Sequence, residues 1–193
     1  MLKEIERWEK KEGVEFLKKI GIKQGQTVLD FGCGKGNYSI PAAKIVNKKG
    51  LVYALDKNLE KLNQLEERAK KENLTNIKII NTSGKIKTNL KDNSVDIVLL
   101  YDIIHLVGKN DSSTLKDRKK LYKEVYRISK QNTLISVYPS HLTTHTDVTS
   151  NEEIKKEIEK AGFKFEKALY VKLIHDDELI KGEILNFKKR END

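Results

Sequence analysis

The chain of 193 residues is long enough for one ordinary domain with its own hydrophobic core. Its residues are 37% hydrophobic and 35% charged, but the apolar residues come in blocks, which indicates a folded domain rather than disorder. The single cysteine, Cys33, excludes an intrachain disulfide, and the charged start contains neither a signal peptide nor a membrane span, so we expect a cytoplasmic protein.

A helix is predicted at about residues 2–20, because apolar residues recur there at helical spacing and Gly21 is typical of a helix end. Short apolar runs then alternate with amphipathic segments. The predicted strands are 27–31, 51–55, 77–80, 95–100, 133–138, 163–174 and 179–187, and the predicted helices are 37–46, 58–71, 115–129 and 151–161.

This order of elements predicts an α/β fold, since strands alternating with helices form parallel βαβ units. Only His175-Asp176-Asp177-Glu178 separates the last two strands, so they form an antiparallel hairpin. We expect a three-layer, doubly wound, mostly parallel seven-stranded sheet with an antiparallel C-terminal hairpin strand, plus an N-terminal helix. The simplest partition is one domain, 1–193, with a helical lid or extension at 1–22 and a Rossmann-like core at 25–189.

A glycine loop, residues 32–36, follows the first strand and precedes a helix. Ligands of such sheets bind at the carboxyl ends of the strands, and glycines permit positive φ and a close approach of the ligand. The third glycine falls one place early for the dinucleotide motif G-x-G-x-x-G. Asp30, just before the loop, would repel a pyrophosphate but suits a ligand with an ammonium group, such as S-adenosylmethionine.

Asp56 ends the second strand, where its carboxylate can accept hydrogen bonds from both hydroxyls of a ribose. Nicotinamide dinucleotide sites use the same device, so Asp56 alone does not discriminate between the two cofactor classes. The spacing of the glycines and the position of Asp30 favour S-adenosylmethionine.

The stretch Val28-Leu29-Asp30-Phe31-Gly32-Cys33-Gly34-Lys35-Gly36 resembles the first motif of the class I S-adenosylmethionine-dependent methyltransferases. Leu55-Asp56 follows in the order of that family, and the terminal hairpin is similar to its sixth and seventh strands. The resemblance covers about residues 25–187. It implies S-adenosyl-L-methionine as cofactor, S-adenosyl-L-homocysteine as product and SN2 transfer of a methyl group.

The resemblance also implies a cofactor site. It places Asp30 near the amino group, Asp56 on the ribose, and Lys57 with Leu59 beside the adenine. The family's acidic residue after the third strand is missing, so we expect Ser83 or Gly84 to replace it. The expected cofactor-binding residues are Asp30, Phe31, Gly32, Cys33, Gly34, Tyr38, Asp56, Lys57, Leu59, Ser83, Gly84 and Tyr101.

The sequence defines the residues that would act on the methyl acceptor less clearly than those that would bind the cofactor. His105 follows the fourth strand and could act as a general base, or it could be a structural histidine. His141 and His145 could bind a metal with a nearby carboxylate, but polar loop residues are the favoured interpretation, and we expect no metal. Cys33 could be a nucleophile, although a small packing residue is favoured at its position.

Charge and chain length bear on the acceptor. The net charge is +9, and much of the basic excess falls in residues 114–131, which we interpret as either a solvated helix face or a nucleic-acid surface. No large insertion interrupts the predicted elements, which favours a small-molecule acceptor. We expect no membrane partner, since the sequence contains no apolar span. The alternatives are an RNA or other macromolecule methyltransferase, a nicotinamide-dependent oxidoreductase and a non-catalytic cofactor-binding protein. The oligomeric state stays open.

Overall fold

The computed structural model describes residues 2–108, 112–142, 146–148 and 150–190. Its strands are β1 (Thr27–Phe31), β2 (Leu51–Asp56), β3 (Ile77–Asn81), β4 (Val95–Tyr101), β5 (Ser129–Tyr138), β6 (Phe163–His175) and β7 (Glu178–Lys189). Its α-helices are α1 (Leu2–Arg7), α2 (Gly13–Ile20), α3 (Ser39–Val46), α4 (Leu59–Lys71), α5 (Leu115–Ile128) and α6 (Asn151–Lys160). Short helical turns occupy Trp8–Glu12, Asn47–Lys49 and Ile104–Leu106.

The strands form one seven-stranded sheet in the order β3-β2-β1-β4-β5-β7-β6. Strand β2 pairs in parallel with β1 and with β3, and β4 pairs in parallel with β5. Strand β7 runs antiparallel to β5, with Ile135 opposite Phe187. This mostly parallel sheet with an antiparallel final strand confirms the predicted fold class.

Contacts within the chain group it into two compact units, and each is described by itself below. The first unit comprises residues 1–84 and 170–182, and the second comprises residues 85–169 and 183–193. A single domain over 1–193 stays a prediction. None of the described helices is long and apolar enough to cross a membrane.

The N-terminal segment of the first unit differs from the predicted single helix at 2–20. A π-helical turn, Trp8–Glu12, separates α1 from α2. A Cβ on Gly13 would lie 2.7 Å from two atoms of the Trp8 indole, so only glycine leaves room for that ring. Apolar spacing predicts a helix but does not reveal a wider turn, because one extra residue hardly disturbs the pattern. The predicted helix end at Gly21 is confirmed, with φ at 123°.

In the second unit, β5 begins at Ser129, earlier than the predicted residue 133. The start of β5 was not predicted, because the polar residues Lys130-Gln131-Asn132 interrupt the apolar pattern that indicates a buried strand. Ser129 pairs with Val95, and the register shifts between Val95 and Ile97. The Thr133 hydroxyl donates to the Val95 carbonyl at 2.7 Å, which ties the irregular start of β5 to β4.

Candidate functional site

The glycine loop is held by backbone hydrogen bonds to the end of β2. The amides of Gly32 and Cys33 both donate to the Leu55 carbonyl, at 2.7 and 2.9 Å. The Gly34 amide donates to Oδ2 of Asp56 at 2.8 Å. Three successive amides of the loop therefore serve the protein itself, and the loop lacks the set of free N–H groups with which a phosphate-binding loop holds its ligand.

Two glycines of the loop have different physical roles. Gly34 has φ of +53°, and a Cβ built there would make only an ordinary van der Waals contact with Cδ of Lys61 at 3.9 Å, so this position is not crowded. Gly36 has φ of +87°, and a Cβ there would lie 2.2 Å from Cδ1 of the buried Leu65. We conclude that Gly34 leaves room for a ligand, whereas Gly36 lets the start of the next helix pack closely against α4.

Asp30 is a buried carboxyl with an unusual pKa. Its side chain is at the end of β1, the residue is 2% exposed, and the Ser39 hydroxyl donates to its Oδ2 at 2.6 Å. The pKa of Asp30 is raised to about 7, chiefly by burial and in smaller part by the charge of Asp56, while the hydrogen bonds from Ser39 oppose the rise. A cation placed beside Asp30 would favour its ionised form, because opposite charges lower the pKa of a carboxyl.

Asp56 is fixed at the end of β2 by two backbone amides. Its Oδ2 accepts from Gly34, and its Oδ1 accepts from the Asn58 amide at 2.8 Å. Asn58 in turn caps α4 by accepting from the Lys61 amide at 3.1 Å. A carboxylate oxygen has more than one acceptor site, so both oxygens of Asp56 retain capacity for hydroxyl donors.

The residues expected around the adenine have accessible side chains or backbone. Leu59, the first residue of α4, is 61% exposed, which is unusual for a large apolar side chain in this protein. Lys57 and Ser83 are exposed, and the Ser83 amide donates to Oδ1 of Asn81 at 2.8 Å. A Cβ on Gly84 would meet nothing within 4 Å. An exposed apolar surface beside polar groups suits a flat aromatic ring.

Two further predicted residues are buried in the first unit. Phe31 is 7% exposed at the end of β1. Cys33 is also 7% exposed, and burial, followed by the charges of Asp30 and Asp56, raises the pKa of its thiol well above the usual value. A thiol held in the protonated form is a poor nucleophile, which favours the packing interpretation of Cys33.

Tyr38 belongs to an aromatic cluster with Trp8 and Phe16. Its ring meets Trp8 edge-on at 5.5 Å between centroids, and the Phe16 ring lies 6.2 Å away. The Tyr38 hydroxyl donates to the Ile174 carbonyl at 2.6 Å, and the Trp8 indole N–H donates to the Asn37 carbonyl at 2.7 Å. The cluster therefore joins the N-terminal segment to the helix that follows the loop, and Trp8 and Phe16 are themselves buried.

Arg68 forms a polar network with residues of the glycine loop and of the N-terminal segment. This network was not predicted from the sequence. The Arg68 guanidinium donates to the Lys35 carbonyl, to the Glu9 carboxylate and, at 3.0 Å, to Oδ1 of Asn37. Lys35 forms an ion pair with Asp177 in the turn between β6 and β7. Lys35 and Asp177 are 142 positions apart, so no local pattern in the sequence could have linked them.

In the second unit, Tyr101 and His105 lie at and just after the end of β4. The Tyr101 hydroxyl lies 2.6 Å from Oγ of Ser136, and both residues are buried. His105 is 5% exposed, its Nδ1 lies 3.7 Å from Oδ1 of Asp102, and its ring centroid lies 5.0 Å from that of His141. His145 falls outside the described residues. Cofactor binding by Tyr101 and a catalytic role for His105 stay predictions.

Comparison with known proteins identifies the class of this chain. Residues 22–187 match the family model described as a methyltransferase domain. The chain therefore belongs to this family of methyltransferase domains, and the resemblance predicted from the glycine loop is confirmed. The solved structure of a SAM-dependent methyltransferase from Aquifex aeolicus is 25% identical, with a TM-score of 0.71, over 94% of this chain and 90% of that chain.

Curated relatives match over shorter stretches. The demethylmenaquinone methyltransferase of Lactobacillus johnsonii is 28% identical over 138 residues, which are 72% of this chain and 52% of that protein. A 23S rRNA (uracil(1939)-C(5))-methyltransferase of Acinetobacter baumannii is 40% identical over 53 residues, which are 28% of this chain and 12% of that protein. The chain thus spans about half of the first relative and a small part of the second.

Proposed function

We propose that this protein binds S-adenosyl-L-methionine at the glycine loop and catalyses methyl transfer from it. The observation that carries the proposal is the use of the loop amides by Leu55 and Asp56, beside two acidic side chains. This arrangement is unfavourable for a pyrophosphate and suits a cationic ligand with ribose hydroxyls. Membership of the methyltransferase domain family supports the same ligand.

The roles of the residues follow from their positions. Asp30 binds the amino group of the cofactor, Asp56 accepts hydrogen bonds from the ribose, and the exposed side chain of Leu59 packs on the adenine. Lys57, Ser83 and Gly84 border the same ring. Gly34 leaves room for the methionine part to approach the backbone.

When bound, S-adenosyl-L-methionine supplies an activated methyl group on a sulfonium. The protein therefore needs chiefly to orient the reacting groups and to exclude water, and such positioning can lower a barrier by roughly 7–11 kcal/mol. The Arg68 network contributes by fixing the carbonyl of Lys35 and hence the shape of the loop. A proton acceptor is required only if the attacking atom of the acceptor carries a proton, and His105 is the candidate for that role.

The acceptor proposed is a small molecule. Its support is the similarity to the demethylmenaquinone methyltransferase over 72% of this chain. An RNA acceptor is the second candidate, favoured by the net charge of +9 and by the shorter match to the 23S rRNA methyltransferase. Transfer of label from the cofactor to a panel of small molecules, compared with transfer to total RNA, distinguishes the two.

Calorimetry with S-adenosylhomocysteine and with NAD tests the cofactor. We expect S-adenosylhomocysteine to bind and NAD not to bind at the same concentrations. Binding of NAD with no binding of S-adenosylhomocysteine would overturn the proposal. Binding of both would mean that the loop does not discriminate on charge, and the argument from the occupied amides would fail.

A further inference from the structure

A cavity of about 600 Å³ lies between α5 and α6 in the second unit, and we call it the α5–α6 groove. None of its lining residues belongs to the glycine loop or to the ends of β1, β2 and β3. Its volume falls within the range of pockets that hold small organic ligands. The groove is therefore a second candidate binding site, and its existence does not depend on the proposed function.

Four lysines line the groove in two pairs. Lys119 and Lys123 are four residues apart on α5, and Lys156 and Lys160 are four residues apart on α6, so each pair shares one face of its helix. Like charges at this spacing weaken a helix slightly. Both helices carry such a pair toward the same cavity, which concentrates positive charge there.

The acidic residues of the groove form no close ion pair with these lysines. Asp147 and Glu157 bind the buried Arg118, at 2.7 and 2.8 Å, and Glu153 caps the start of α6. Among the residues that the structure describes, no carboxylate lies within 4.0 Å of any of the four lysine ammonium groups. Five basic and three acidic residues line the groove, so it keeps a net charge of +2 that is available to a ligand.

The groove is also a firmly built cavity with an aromatic wall. Arg118 spans the two helices through two hydrogen bonds to Glu157, each of 2.8 Å. The Tyr126 ring packs edge-on against Phe163 at 5.6 Å, and a Cβ on Gly162 would lie 2.6 Å from that ring. The Lys189 ammonium lies 4.2 Å from the centroid of the same ring. These contacts hold Tyr126 in place, and its remaining exposed part lines the groove.

From this geometry we infer that the α5–α6 groove binds a small organic phosphate whose apolar part contacts the exposed part of Tyr126 and whose phosphate lies between the two lysine pairs. Lysine ammonium groups bind phosphate as point charges, without the planar geometry that arginine imposes. The phosphodiester of RNA shares this chemistry. A cavity with one aromatic wall fits a single small ligand better than a strand, whose successive bases need several stacking surfaces.

The first test uses 1-naphthyl phosphate, titrated by calorimetry into the protein saturated with S-adenosylhomocysteine and into the protein alone. We expect the same binding in both titrations. The variant K123Q/K156Q removes one lysine from each helix and should weaken binding roughly three- to tenfold, since each exposed ion contact contributes modestly. Tyr126→Leu should also weaken it. Because this change also removes packing on Phe163, it is titrated well below the melting temperature of the variant, where the fold persists.

The matched control is K116Q/K164Q, which removes the same charge from exposed residues that do not line the groove. Its affinity should stay within about twofold of that of the unmodified protein, because distant exposed charges are largely screened. Equal losses in the two double variants would overturn the inference. So would displacement of naphthyl phosphate by S-adenosylhomocysteine, or binding of a twelve-nucleotide oligouridylate without binding of naphthyl phosphate.

Discussion

The glycine loop and the α5–α6 groove place charge in opposite ways. At the loop, Asp30 is buried and the partly buried Asp56 lies beside it, so a negative charge on Asp30 has little contact with water and is costly. In the groove, the four lysine side chains are exposed, so their charges keep most of their hydration. Buried charge is costly to the fold and interacts strongly with a ligand, whereas exposed charge costs little and interacts weakly. Substitutions at the loop should therefore have much larger effects than substitutions in the groove.

The largest expected effect is that of Asp56→Ala on cofactor binding. The change removes the proposed acceptor of two ribose hydroxyls and also leaves the amides of Gly34 and Asn58 without their partner. Two hydrogen bonds to a charged group contribute roughly 3 kcal/mol or more, so the affinity for S-adenosylhomocysteine should fall at least about a hundredfold. Asp56→Asn keeps one oxygen, so its affinity for S-adenosylhomocysteine, measured by calorimetry, should lie between those of the unmodified protein and Asp56→Ala. An unchanged affinity in Asp56→Ala would refute the ribose role.

The raised pKa of Asp30 should make the free energy of unfolding depend on pH. Its pKa is raised from 3.8 to about 7 by burial, so its stabilising contribution is complete below pH 4 and is lost as the pH rises toward 7. The amide in Asp30→Asn stays neutral and can still accept from Ser39. The stability of Asp30→Asn relative to the unmodified protein should therefore increase by roughly 2–3 kcal/mol between pH 5 and pH 8. Urea unfolding at both pH values measures this change.

The matched control for Asp30 is Glu178→Gln, which makes the same carboxyl-to-amide change at an exposed side chain at the start of β7. Its relative stability should vary little over the same pH interval. If Asp30→Asn behaves like this control, Asp30 titrates at an ordinary pKa, and the argument that its site favours a cationic ligand loses its electrostatic basis. Asp30→Asn should also bind S-adenosylhomocysteine more weakly than the unmodified protein, because a neutral amide attracts an ammonium group less than a carboxylate does.

Two glycines of the first unit distinguish the effect of close packing from the effect of backbone strain. Gly36→Ala places a Cβ in collision with Leu65 at a positive φ, whereas Gly84→Ala has a positive φ and no neighbour within 4 Å. Strain alone costs roughly 1 kcal/mol, and overpacking adds about 1–3 kcal/mol, so only Gly36→Ala should lose more than about 2 kcal/mol of unfolding free energy. Comparable losses in the two variants would show that conformation, rather than packing on α4, requires Gly36.

Local patterns made much of the fold predictable. Strand β1 has the predicted bounds, 27–31, because a short apolar run between glycines leaves few alternatives. The hairpin turn was also predictable, and Asp176 and Asp177 both adopt the positive φ that a two-residue turn requires. The π-helical turn at Trp8–Glu12 was missed because the close contact between Gly13 and Trp8 does not disturb the apolar spacing. The early start of β5 was missed because a tertiary contact with Val95 fixes it.

The candidate site divides in the same way. The loop and the two carboxyls are short-range features, and the sequence places them in order along β1 and β2. The support from Glu9, Arg68 and Asp177 arises only when distant segments meet, so spacing could not predict it. The groove is an intermediate case. The sequence showed a basic run at 114–131, but only the structure brings part of that run opposite the lysines of α6.

The smallest expected effect belongs to the groove lysines without a ligand. Removing one lysine from each helix in K123Q/K156Q relieves like-charge repulsion between the paired lysines. The melting temperature should therefore rise slightly at low salt, and the free energy of unfolding should increase by less than about 0.5 kcal/mol. The rise should vanish at roughly 1 M salt, where charges are screened within about 3 Å. K116Q/K164Q should show a smaller change. If K123Q/K156Q instead destabilises the protein at every salt concentration, these lysines support the fold, and the contrast between a costly buried charge at the loop and an inexpensive exposed charge in the groove would not hold.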